Sequence, residues 1–134
     1  MSKLKSVFIK IMKAIFCVLL VILLIIVGFS VFLLTGKEKT IGIELNGINL
    51  DSVADGTYVG SYNGYRWSNT VEVTVKNHQI INISVKKPQV FAKEETIQEL
   101  TESVVSKQTT EVDVVTGATA DSKAFLKAVE NALD

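Results

Sequence analysis

The chain opens with one long apolar run and continues with shorter segments in which apolar and polar residues alternate periodically. Residues 14–34 contain neither a charged residue nor a proline. At about 1.5 Å per helical residue, this run is long enough to cross a hydrocarbon core of about 30 Å. The pattern therefore predicts a transmembrane helix over residues 14–34 and not a buried globular helix.

A cleaved signal peptide and a lipoprotein signal are the two alternatives to a permanent span. A cleaved signal peptide has a shorter apolar core and small residues at its cleavage site, whereas Thr35-Gly36-Lys37 follows this run. A lipoprotein signal needs a small residue directly before a cysteine at the end of the run, whereas Cys17 follows Phe16 near the start. We therefore favour a permanent span, with signal-peptide cleavage as the alternative.

Beyond this run, the hydrophobic periodicity predicts two strands and two helices. Residues 70–86 alternate apolar and polar positions on both sides of Asn77-His78, which is expected to form a tight turn. Residues 93–107 and a segment starting near Thr119 or Asp121 predict amphipathic helices. The apolar positions expected to face the core are Val71, Val73, Val75, Ile81, Ile83 and Val85 in the strands, and Ile97, Leu100, Val104, Val105, Phe125, Val129, Ala132 and Leu133 in the helices.

The segments between these elements are less regular. Residues 35–50 predict a juxtamembrane linker, in which residues 41–45 allow a short strand, and residues 112–114 form another strand-like piece. Residues 55–67 combine strand-forming aromatics with two glycines, which predicts a glycine-kinked hairpin or a close backbone approach. Residues 51–134 are therefore expected to form an α+β domain with a small, mostly antiparallel sheet packed with two helices.

Charge is distributed unevenly about the predicted span. Four lysines and no acidic residue precede it, whereas all 14 acidic residues follow it. By the positive-inside rule, residues 1–13 are expected to form a cytoplasmic basic tail, and residues 35–134 are expected to lie outside the cell membrane. The exported part is mildly acidic, which argues against nucleic-acid binding. It also lacks cysteine, which excludes a disulfide or a thiolate metal site there.

The stretch DVVTGATADS, residues 113–122, directly precedes the last predicted helix. Thr119 is the expected N-cap, because its hydroxyl can accept from a backbone N–H two or three residues further on. A helix N-terminus also exposes N–H groups and a partial positive charge, which together favour phosphate binding, and Lys123 adds a full charge. Because serine, threonine and aspartate cap helices without any ligand, the residues alone leave both a plain cap and a phosphate site open.

The same stretch resembles the flavinylation motif of the FMN-binding domain family, D-x-x-[ST]-G-A-[ST]. The residues in register with this motif are Asp113, Thr116, Gly117, Ala118 and Thr119. Upstream, DGTYVG and VEVTVKNHQIINISV resemble the family's D-G-x-Y-x-G strand and V-x-V-x-V hairpin, so the resemblance covers about residues 51–133. The family includes flavin-carrying components of the sodium-translocating NADH:quinone oxidoreductase and of the related Rnf complex.

The chain departs from the family pattern in two places. His78 stands at the hairpin tip, where glycine is usual. Ala120-Asp121 follows the motif where a serine or threonine is frequent, although Ser122 is close by. Both departures concern the local geometry of the site and the turn.

The resemblance implies that FMN is attached through its phosphate to the hydroxyl of Thr119. The other cofactor-binding candidates that it implies are Asp113 and Thr116 in the recognised motif, Gly117 and Ala118, which would let the flavin approach, and Ser122 and Lys123 at the helix start. The flavin ring needs an apolar or stacking surface, for which the candidates are Tyr58, Tyr62, Tyr65 and Trp67.

A threonine hydroxyl is a weak nucleophile unless a base activates it, and no such base is evident here. The resemblance implies an external flavin transferase of the ApbE type, which uses FAD and a divalent metal. These expectations describe a flavoprotein anchored in membrane lipid that passes electrons between a membrane donor and an extracytoplasmic acceptor.

A carrier or accessory subunit is expected and not a complete enzyme, because no catalytic residues, second cofactor motif or substrate site are visible. One alternative is a membrane-anchored binding or scaffold module of the same fold without flavin. Another is a flavin reductase acting alone, for which no nicotinamide-binding pattern is present.

Overall fold

The structure is a computed structural model that describes all residues, 1–134, as two compact units, Met1–Thr35 and Gly36–Asp134. The first unit is a single helix, α1 (Ser2–Leu34), in which no side chain is buried. It contains the predicted span and continues through the lysine-rich residues before it. Its 33 residues rise about 50 Å, so the helix is long and apolar enough to cross a membrane.

The second unit has the α+β architecture that the sequence predicts. Its elements in chain order are α2 (Lys37–Ile41), β1 (Gly56–Tyr62), β2 (Asn69–Lys76), β3 (Gln79–Lys87), α3 (Glu94–Lys107) and α4 (Thr119–Leu133), with single 3₁₀ turns at Leu50–Ser52 and Tyr65–Trp67. The strands form one antiparallel sheet in the order β1-β2-β3. The C-terminal helix α4 packs across β1 and β2, while α3 packs against β3 and α4.

The hydrophobic core lies between the sheet and the two longer helices. Strict alternation along β2 buries every second side chain, as the pattern predicts. The core residues contributed by β2, α3 and α4 include Val71, Val73, Val75, Leu100, Val104, Phe125, Leu126 and Val129. The periodic apolar positions of the sequence therefore assemble into one continuous core.

In the first half of β3, the side chain that faces the core is not the predicted one. Ile80 is buried opposite Val75, whereas Ile81 is 52% exposed. The pairing register shifts between Thr74 and Val75, and such a bulge moves the following side chains to the other face of the sheet. The expectation that Ile81 faces the core was therefore wrong, and Ile80 occupies that place.

The turn between β2 and β3 is strained at its second residue. Asn77 and His78 have φ values of 52° and 61°, as in a type I′ turn, which prefers Asn-Gly. We expect the free energy of unfolding of His78→Gly to be about 0.5 kcal/mol above that of His78→Ala, because both variants lose the imidazole and the relief of left-handed strain exceeds the added entropy cost of glycine. Urea denaturation followed by circular dichroism measures this change.

His78→Ala is the matched control for that turn. His78 Nδ1 donates to the Leu50 carbonyl over 3.0 Å, and alanine loses this bond while keeping the strained backbone. The alanine variant should therefore be less stable than the wild type. A glycine variant that is no more stable than the alanine variant would show that strain at His78 does not limit the stability of the turn.

Residues 36–50, predicted as a linker, pack against the rest of the second unit. The buried Thr40 hydroxyl lies 2.8 Å from Tyr62 Oη. The Asn46 N–H donates to Glu130 Oε1 over 3.1 Å, and Lys123 Nζ donates to the Ile43 carbonyl over 2.9 Å. Because this backbone bonds to side chains of α4, it forms no strand at 41–45, and residues 112–114 form none either.

Candidate functional site

The helix α4 begins at Thr119, as the sequence predicts, but its cap differs from the expected one. Ala118 occupies the N-cap position, and no side chain caps the helix. Thr119 is instead the first helical residue, so the expectation that it caps α4 was wrong. It is half-buried, and its hydroxyl forms no hydrogen bond within the chain.

A tight turn leads the motif into α4. The Ala118 N–H donates to the Val115 carbonyl over 2.9 Å, and Gly117 has a φ of 81°, which only glycine adopts without strain. The buried Ser122 hydroxyl accepts from the Val115 N–H over 3.1 Å. Ser122 therefore holds the motif turn against α4, which leaves Thr119 at the surface of the helix start.

The residues around Thr119 form the wall of a cleft of about 350 Å³. Three segments that are distant in sequence contribute to this Thr119 cleft: α2, the 3₁₀ turn Tyr65–Trp67 and the start of α4. Its lining residues are Lys37, Ile41, Arg66, Trp67, Gly117, Ala118, Thr119, Ala120 and Asp121. The fold thus places the threonine beside two cations and one carboxylate.

Three of these side chains are tied to one another. Trp67 is fully buried and its Nε1–H donates to Asp121 Oδ1 over 2.8 Å. The Arg66 guanidinium stacks on the indole, with Cζ 4.1 Å from the ring centroid, and Arg66 Nη2 lies 3.8 Å from Asp121 Oδ1. The 3₁₀ turn is therefore fixed to the first turn of α4, and Arg66 has a defined position in the cleft.

We expect Asp121→Ala to lower the free energy of unfolding by about 2 kcal/mol, because it leaves the buried Trp67 indole N–H without an acceptor. Asp121→Asn is the matched variant, since its amide oxygen keeps the acceptor and removes only the charge. Urea denaturation should place Asp121→Asn close to the wild type. Equal losses in the two variants would show that the carboxylate charge, and not the hydrogen bond, stabilises the turn.

The structure brings only some of the predicted cofactor-binding residues together. Gly117, Ala118 and Thr119 line the cleft, whereas Asp113 and Thr116 are exposed and lie outside its lining. The Lys123 ammonium is bonded to the Ile43 carbonyl and is not among the lining groups.

The aromatic candidates occupy different environments. Tyr62 packs beside the cluster of Trp67, Ala120 and Ala124, and its hydroxyl is bonded to Thr40. Tyr58 packs against the main core and donates to the Ala54 carbonyl over 2.6 Å. The structure therefore places Tyr62 near the cleft and Tyr58 away from it.

Sequence reasoning missed five lining residues, Lys37, Ile41, Arg66, Ala120 and Asp121. Asp121 lies inside the motif stretch, and Arg66 stands between two aromatic candidates, so the sequence carried a signal for both. The sequence around Lys37 and Ile41 gave no indication that α2 lines the cleft, because their position depends on the packing of residues 36–50 against the domain.

The sequence profile of the FMN-binding domain family matches residues 64–134. The chain belongs to this family. The match includes two of the three cleft-forming segments, the turn Tyr65–Trp67 and the start of α4, and it confirms the resemblance seen in the motif. Among curated proteins, no relative matches the chain.

The cleft of this FMN-binding domain offers the groups that a phosphate requires. At a helix start the first N–H groups lack partners within the helix, and here they belong to Thr119, Ala120 and Asp121. Arg66 and Lys37 add positive charge to the same lining. At about 350 Å³, the cleft lies at the low end of the roughly 300–1,000 Å³ typical of small-molecule pockets. Its lining holds these N–H groups and cations but only one aromatic side chain, the fully buried Trp67, so the cleft suits the phosphate end of FMN.

Proposed function

We propose that this protein carries FMN covalently, through a phosphoester at Thr119 Oγ, and serves as a membrane-anchored, extracytoplasmic electron carrier. The observation that supports the attachment site is the position of Thr119. Its hydroxyl has no hydrogen-bond partner, lies at the N-terminus of α4 and lines a cleft that also contains Arg66 and Lys37. A hydroxyl without an internal partner is available for esterification.

Attachment requires a second protein, because the cleft offers Thr119 no clear general base. Asp121 accepts from the Trp67 indole and lies beside Arg66, so its carboxylate is already engaged. A flavin transferase would supply FAD, a divalent metal and the base. Thr119 Oγ would bond to the FMN phosphorus, the diphosphate P–O bond would break with AMP as the leaving group, and the hydroxyl proton would pass to the transferase.

The chain's own contribution is to bind and position the product. The N–H groups at the start of α4 and the Arg66 guanidinium would neutralise the phosphodiester, while Asp121 and Trp67 keep Arg66 in place. FMN, once bound, supplies the redox chemistry.

The anchoring part of the proposal depends on α1. Its residues 14–34 carry no charge, and α1 has no buried residue, as a lipid-exposed span requires. The four lysines before residue 14 would keep the N-terminus in the cytoplasm and place residues 36–134 outside. A covalent bond would prevent loss of FMN from an extracytoplasmic carrier, whose electrons would come from a membrane donor and pass to an external acceptor.

Co-expression of the full chain with a flavin transferase in membranes tests the proposal. Flavin fluorescence should stay with the protein band after denaturing electrophoresis, and dithionite should bleach the flavin absorbance reversibly. Protease added to intact cells should degrade the domain and leave the N-terminus protected. A membrane-bound chain without fluorescence, despite an active transferase, would instead identify a scaffold of the same fold.

A further inference from the structure

The four aromatic residues considered for contact with the flavin ring differ in their solvent exposure. Trp67 is 0% exposed and one face of its indole is covered by Arg66. Tyr62 is half-buried and bonded to Thr40, and Tyr58 lies away from the cleft. Tyr65 remains, with 61% of its surface exposed. It directly precedes the cleft residue Arg66, and its Cδ2 atom lies close above Gly36, next to the cleft residue Lys37.

A second exposed aromatic residue directly follows a segment that is bonded to the cleft. Gln89 Nε2 donates to the Asp121 carbonyl over 3.0 Å. The Val90 N–H donates to the Arg66 carbonyl over 2.9 Å, and Arg66 Nη1 donates to the Val90 carbonyl over 3.2 Å. These bonds fix residues 89–90 to two cleft-lining residues, and the next residue, Phe91, is 67% exposed.

Tyr65 and Phe91 also share an unfavourable backbone conformation. Their φ values are 55° and 59°, in the left-handed region that bulky residues rarely adopt. Glycine or asparagine would fit both positions with less strain. Because both aromatic side chains are exposed, little hydrophobic burial offsets the cost of this backbone conformation. Strain of this kind, held in place by surrounding bonds, is typical of ligand-binding positions.

We propose that Tyr65 and Phe91 form the surface on which the isoalloxazine ring of FMN lies. This inference rests on the proposed attachment of FMN at Thr119. The Thr119 cleft offers the flavin ring no exposed aromatic face, so the ring would extend past Arg66 toward the two exposed aromatic residues. Stacking on an aromatic face shields one side of the ring, while the other side stays open to a redox partner.

The test is flavin fluorescence of the flavinylated full chain. A tyrosine in contact with isoalloxazine quenches its emission by electron donation, whereas phenylalanine does not. Tyr65→Phe keeps the ring and should raise the fluorescence yield and lifetime severalfold. Tyr58→Phe is the matched control, because Tyr58 lies away from the cleft, and it should leave both values unchanged.

A second pair of variants tests Phe91. Phe91→Ala should weaken the visible circular dichroism of the flavin, which reports an asymmetric contact with the ring. Val59→Ala, which also truncates an exposed apolar side chain, should not. Tyr65→Gly should unfold at the same temperature as the wild type or higher, and it should also lose the quenching, because the strain is relieved together with the contact.

The outcomes separate this inference from the function on which it rests. Attached FMN with equal fluorescence in wild type, Tyr65→Phe and Tyr58→Phe would overturn the ring surface and leave the attachment intact. Wild-type protein without FMN in the presence of an active transferase would overturn both. Attached FMN whose emission rises in the Tyr65 variants but not in Tyr58→Phe, with dichroism that falls in Phe91→Ala but not in Val59→Ala, would establish the surface.

Discussion

Thr119→Ala should abolish covalent flavin attachment in cells that contain an active flavin transferase. The substitution removes the hydroxyl oxygen of residue 119, which is the only protein atom in the proposed phosphoester. It leaves the helix start intact, because Ala118 and not Thr119 occupies the N-cap. Attachment is therefore expected to fall from near completion to none, while stability changes little. Mass spectrometry of the peptide that contains residues 113–122 measures the bound fraction directly.

Two further variants make that result specific. Thr119→Ser retains a hydroxyl at the same position and should still accept FMN. Thr57→Ala removes an exposed threonine hydroxyl from β1 and should leave attachment unchanged. FMN found on the Thr119→Ala protein, for instance at the exposed Thr116, would show that the motif is recognised but that the acceptor has been assigned to the wrong residue.

The parts of the fold that the sequence predicts well are those whose signal is local. The alternation along β2 and the apolar stripes of α3 and α4 each arise within one element, and each element buries the face that its pattern indicates. The motif stretch likewise predicts the start of α4, because a helical pattern begins near Thr119, directly after Gly117-Ala118. Local periodicity was sufficient for these elements.

The features that the sequence did not predict depend on contacts between distant residues. The bulge that exchanges Ile80 for Ile81 exists only in the pairing of β3 with β2. The cleft wall formed by Lys37 and Ile41 depends on the packing of α2 against α4, some 80 residues later in the chain. The motif could thus identify Thr119, but only the tertiary structure could identify its neighbours.

The aromatic residues illustrate the same limit within the candidate site. Tyr58, Tyr62, Tyr65 and Trp67 are equal candidates by sequence, because strand propensity and ring chemistry are alike in all four. Their exposure and hydrogen bonds separate them, because α4 buries Trp67, Thr40 bonds to Tyr62 and Ala54 bonds to Tyr58. Phe91 had no signal at all, since its position beside the cleft follows from the hydrogen bonds between Arg66 and Val90.

Gly60→Ala should destabilise the domain by at least about 3 kcal/mol, a large share of the 5–15 kcal/mol typical of a small domain. A Cβ atom at this position in β1 would overlap the backbone of α4 at the Ala128 carbonyl oxygen and the Ala132 nitrogen, and would lie 2.6 Å from Ala132 Cα. Backbone atoms cannot rotate away as a side chain can, so α4 would have to lift from the sheet. Urea denaturation measures the loss.

The matched control for this substitution is Gly117→Ala. Gly117 has open space around its Cβ position but a φ of 81°, so alanine there meets only backbone strain of about 1–2 kcal/mol. If Gly60→Ala is no more destabilising than Gly117→Ala, the backbone of α4 does not lie in direct contact with β1 at Gly60. Because α4 also carries Thr119, a displaced helix should reduce flavin attachment in Gly60→Ala even where the protein stays folded. The close approach at Gly60 would then link the packing of the sheet to the geometry of the cofactor site.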